Sequence, residues 1–104
     1  MQILAEKENG TKGKWLLVKY SENFFAYGSL SQLNSIYGVP VQQYGTKKEV
    51  LDHCNSIIAL RNKHILQHQK EFKKDKQEGW LVLINDAKKD IETLEKFVSI
   101  LSNI

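Results

Sequence analysis

His64-x-x-x-His68 places two imidazoles one helical turn apart, close enough to share a metal ion, and Glu71 follows three residues later. No cysteine or further histidine supports the pair, because His53 stands about three helical turns from His64. Solvated helix histidines are therefore expected, and no metal is assigned. Cys54, the single cysteine, falls on the apolar side of the same segment. A nucleophilic thiolate needs a base and an exposed, electropositive setting. His53 is adjacent in sequence but points about 100° away around a helix, so Cys54 reads as a small buried hydrophobe.

Gly10-x-x-Gly13 lacks the lysine and serine of a phosphate-binding loop and the spacing of a dinucleotide loop. Tyr27-Gly28-Ser29 opens a short helix whose amides could receive an anion, but one glycine and one serine serve equally well as a capped turn. The twelve acidic residues form no close pair suited to acid–base or metal-assisted hydrolysis. The chain is expected to be no enzyme and to need no cofactor. Were it an enzyme, its site would be a cleft between sheet and helices.

The elements that carry these residues follow from patterning. A chain of 104 residues, 41% hydrophobic and 26% charged, has the size and composition of one globular domain, 1–104. One cysteine allows no internal disulfide, and the first residues lack the basic start and apolar stretch of a signal peptide. The longest apolar runs, Trp15–Val18 and Trp80–Ile84, are far short of a membrane span. A cytoplasmic protein without membrane contact is expected.

Residues 1–45 read as mainly β and 46–104 as mainly helical, an α+β class. Gln2–Glu8 and Lys14–Tyr20 flank the glycine-bearing turn Asn9–Gly13, and Phe24–Tyr27 adds a third strand, giving an antiparallel meander. The continuous run Trp15–Val18 predicts a strand covered on both faces. Ser29 caps a short helix, Leu30–Tyr37, stopped by Gly38, and Val39–Tyr44 is extended. The early aromatics, Trp15 to Tyr44, beside Lys14 and Lys19, could stack on bases, but core and cross-strand packing is the stronger expectation.

Thr46-Lys47-Lys48-Glu49 is a capping box, and no breaker follows before Gly79, which predicts an amphipathic helix over Lys47–Gln77. Val50, Leu51, Cys54, Ile57, Ile58, Ile65 and Phe72 form its apolar stripe. Trp80–Ile84 reads as a buried strand, or else as buried helix, and Asn85 or Asp86 caps a last helix, Ala87–Leu101.

About 31 residues of helix span roughly 46 Å, longer than the ~33 Å diameter of a compact domain of this size. The long helix must bend, break or protrude. Its last third, Gln67–Glu78, has Phe72 as its one apolar residue. That end is left to fray, to pack on the last helix or a second copy, or to serve as a basic arm. Arg61 and His68 project from the apolar stripe, and an ion pair between Arg61 and an acid of the last helix is the expected solution.

These features favour an interaction module that binds a protein partner and regulates or inhibits it, through Arg61, His64, His68, Phe72, Lys73 and Lys74. Homodimerisation could use the same face. The alternative is nucleic-acid binding through Lys63, Lys70, Lys73, Lys74 and Lys76. Residues 46–79 hold eight basic side chains against five acids, which places the positive excess there.

Overall fold

Asn9 and the glycines on either side of Lys12 reverse the chain, and the fold grows from that reversal. The computed structural model describes residues 1–34 and 43–104. Strand β1 (Gln2–Glu8) and β2 (Lys14–Ser21) pair antiparallel across a single 3-10 turn, Gly10–Lys12. Gly10 has φ +59° and Gly13 φ +79°, a backbone region that side-chain-bearing residues rarely adopt. β3 (Phe24–Ser29) pairs with β2, and the two-residue β4 (Tyr44–Gly45) pairs with β3, so the sheet order is β1-β2-β3-β4.

The period-2 alternation of strands sorts their side chains into two layers. Leu17, Phe25 and Tyr27, with Ala5, face the helices and join Val50, Cys54, Leu94, Phe97 and Leu101 in the larger core cluster. Leu16, Val18 and Ala26 face the other way, with Leu33. The unbroken run in β2 thus fills both layers: Leu16, Leu17 and Val18 are all buried. Among the aromatics, Phe25 and Tyr27 are core, while Trp15, Tyr20, Phe24 and Tyr44 pack half-buried in tilted pairs.

Helix α1 covers Leu30–Asn34. Ser29 caps it as expected: its Oγ accepts from the Gln32 N–H at 3.4 Å while Gln32 Oε1 accepts from the Ser29 N–H at 3.0 Å. The expected continuation to Tyr37, the Gly38 stop and the extended stretch before Gln43 lie outside the described residues.

Helix α2 runs Lys47–Asp75 from a complete capping box, with Glu49 N–H donating to Thr46 Oγ1 at 3.2 Å and Thr46 N–H to Glu49 Oε1 at 3.3 Å. It protrudes. Its 29 residues make about 43 Å of helix, and the molecule measures 49 × 23 × 22 Å.

Helix α3 spans Gly79–Ser102 and corrects the expectation for Trp80–Ile84, which is neither a strand nor a buried helix but the first turns of α3. Leu81, Val82 and Leu83 are 46%, 61% and 45% exposed, with only Ile84 of the run buried. Asn85 and Asp86 lie inside the helix and cap nothing. The reason is the preceding turn. Lys76 adopts a left-handed conformation (φ 59°) that ends α2, and its N–H donates to the Phe72 carbonyl at 2.8 Å. The Asp75 carboxylate accepts from the Gln77 N–H at 2.9 Å and the Trp80 indole N–H at 3.0 Å. This tight turn returns the chain antiparallel to α2, and a helix beside it pairs its interior backbone groups within itself, as a lone strand cannot.

Candidate functional site

Asp90 joins three distant parts of the chain. It is buried on α3 at 5% exposure. Asn9 Nδ2 donates to its Oδ1 at 3.0 Å, Lys12 Nζ to both oxygens at 2.7 Å, and Arg61 Nε to its Oδ2 at 2.9 Å. The β1–β2 turn supplies Asn9 and Lys12, α2 supplies Arg61, and α3 supplies the carboxylate. Burial pushes the Asp90 carboxyl up, but the hydrogen bonds from Lys12, Asn9 and Arg61 outweigh it and hold the group below its ordinary value. The expected pairing of Arg61 with an acid of the last helix is therefore present.

Beside this node opens a cleft of ≈ 200 Å³ between the sheet and both helices, bordered by Lys12, Arg61 and Asp90. Tyr27 and His53 meet in it, with 2.7 Å between the phenol oxygen and Nδ1. Burial pushes the Tyr27 phenol up and the His53 imidazole down, so both are neutral at pH 7. Gln43 also lines the cleft, and its Oε1 is buried with no hydrogen-bond partner among the described residues. Trp15, Ile57 and Leu94 supply the apolar walls.

Further out, the two helices continue past the sheet as an arm. A shallow groove of ≈ 210 Å³ between them is lined by His64, His68, Leu83 and Asp86 beyond the Asp90 node. His68 stacks on Trp80 at 5.4 Å between ring centroids, and His64 lies 6.2 Å from His68. His64 Nδ1 is 3.3 Å from Arg61 Nη1. The arm also exposes Leu60 and Leu66 on α2, at 42% and 61%, together with Leu81, Val82 and Leu83 on α3.

No family model, curated protein or solved structure matches this chain.

The structure separates the six residues of the expected partner face. Arg61 is committed to Asp90, and His64 and His68 are half-buried in the groove. Phe72 is half-buried beneath Lys76, whose Nζ sits 5.4 Å from the ring centroid. Lys73 and Lys74 are exposed, as are Lys63, Lys70 and Lys76. Lys74 lies 3.7 Å from Glu71, one of the acids interleaved with these cations. Among the described residues no group of three or more His, Cys, Asp or Glu could hold a metal ion, and no helix is long and apolar enough to cross a membrane. Cys54 is fully buried, and burial pushes its thiol up to about 12.

Sequence reasoning passed over the residues that build the cleft and node. Asn9 and Lys12 read as turn residues and Tyr27 as packing. One signal was readable: Arg61 in an apolar stripe requires a buried acid. Which acid answers it depends on the register between α2 and α3, and the sequence alone does not set that register.

Proposed function

We propose that this chain is a protein-interaction module whose α2–α3 arm docks against an amphipathic helix of a partner protein, one flanked by acidic residues. The supporting observation is the apolar surface on the arm beyond the sheet, above all Leu66 and Val82 at 61% exposure each. Neither side chain serves this protein's own core, and a helix pair with exposed leucines is the kind of surface that receives a third helix. Leu66 lies one helical turn from Lys70 and two from Lys73, so the same face carries positive charge. That charge selects an acidic partner and excludes basic ones.

The lysines alone support nucleic acid less well. Glu71 and Asp75 sit among them, and Lys76 lies over Phe72. The test compares the tagged chain with its Leu66→Asp and Val82→Asp variants, using nuclease-treated native lysate. The expected result is one protein retained by the wild type, lost with either variant, and forming the same complex when both are purified. Equal capture by all three chains overturns the proposal. So does a wild-type dimer in sedimentation that either variant dissolves, which would make a second copy the partner. A salt-sensitive shift of labelled nucleic acid, with no protein captured, would replace the reading with the alternative.

A further inference from the structure

The cleft has what the arm lacks: charged, neutral polar and aromatic groups converge on one small volume. Lys12 and Arg61 share a single carboxylate, so the Asp90 wall keeps a formal excess of one positive charge. Arg61 commits Nε to Asp90 and Nη1 to His64, while its Nη2 makes no hydrogen bond among the described residues. Gln43 Oε1 is a buried acceptor that receives no hydrogen bond among the described residues. Tyr27 and His53 engage each other and stay uncharged, so they add no negative field that would repel an anion.

We propose that this cleft binds a small monocarboxylate with a flat apolar body and a hydrogen-bond donor, a ligand of hydroxybenzoate size. The volume sets the size, since ≈ 200 Å³ falls below the roughly 300–1,000 Å³ of drug-sized sites. The net charge sets the sign. Arg61 offers the free N–H for the carboxylate, because a planar guanidinium recognises that group by geometry as well as charge. Trp15, with Ile57 and Leu94, offers the surface for the body, which inorganic phosphate lacks. Gln43 accepts from the donor. The site is independent of the arm, so it stands or falls separately from the docking face.

The experiment titrates the whole chain with para-hydroxybenzoate, benzoate, para-hydroxybenzamide and inorganic phosphate, followed by amide-resolved NMR. Para-hydroxybenzoate should give saturable shifts at Trp15, Tyr27 and His53. The neutral benzamide should bind about tenfold more weakly, the value of one charge-assisted hydrogen bond. Benzoate, without the donor, should fall between them, and phosphate should not saturate. Arg61→Gln should weaken para-hydroxybenzoate by about the same tenfold. Ile57→Phe should fill the cleft and abolish the shifts while the spectrum stays dispersed. Should Arg61→Gln unfold, the comparison of benzoate-type and benzamide-type ligands on the wild type decides the matter. Shifts that stay linear in ligand, equal binding of the neutral analogue, saturation by phosphate at the same residues, or undiminished binding to a folded Ile57→Phe chain each overturn the assignment.

Discussion

Asp90→Asn keeps the shape of the node and removes its only negative charge. The remaining side-chain oxygen can hold one cation, leaving Lys12 and Arg61 close together with no carboxylate between them. A hydrogen bond to a charged group contributes about 1.5–3 kcal/mol, and stranding a fully buried charge costs roughly 3–5 kcal/mol. Neither limit applies in full, because the side chains of Lys12 and Arg61 are 42% and 30% exposed and can turn toward water. The expected loss is about 2 kcal/mol at neutral pH, a substantial part of the ~5–15 kcal/mol that holds a domain folded. With a urea dependence of ~2 kcal/mol per molar, the unfolding midpoint should fall by about 1 M.

The pH dependence supplies an independent check. The folded Asp90 carboxyl lies below its ordinary value, so its stabilisation is present above the unfolded pKa of about 3.9 and lost as pH falls through the folded one. Wild type and variant should therefore converge in acid. Urea titrations at neutral pH and near pH 3 test both statements. A neutral-pH difference under about 0.5 kcal/mol, the ordinary size of a surface substitution, would refute the reasoning. An equal difference at both pH values would refute it too.

Thr46→Ala removes the hydroxyl of the capping box and should cost about 1 kcal/mol in the same urea assay, with α2 still helical by circular dichroism. Cys54 should resist a thiol reagent in the folded chain and react at once in denaturant, because the sulfur is buried and its thiol is pushed up to about 12. Burial holds His53 below its ordinary value, so folding stability should decline as pH drops below about 6.5 toward the folded pKa. His53→Gln should flatten the slope in that window, as followed by thermal melts across it.

Where local chemistry decides the backbone, the sequence was readable. Thr46 and Glu49 mark the start of α2 to the residue, and Asn9–Gly13 marks the first hairpin. The apolar run in β2 correctly implies a strand buried on both sides. Trp80–Ile84 was misread because a short run of bulky apolar residues has no period of its own. Its conformation is set by the Lys76 left-handed turn and the Asp75–Trp80 hydrogen bond, neither of which is encoded in the apolar run itself. The cleft was hidden for a related reason. Tyr27 and His53 are 26 positions apart, and Asn9 and Asp90 are 81 apart, so only the finished packing brings them together. Arg61 announced that it needed a partner but not where to find it.

The covering of the two helices by the sheet at one end only makes the arm's length a free variable of this fold. No member of the larger core cluster comes from residues 59–93. Seven residues, about two turns, added to each helix beyond Arg61 and before Asp90 would turn the outer faces by only ~20°. The sheet, the cleft and the Asp90 node would meet the same neighbours as before. A reach of this kind can be lengthened or shortened to suit a partner without redesigning the core that carries it.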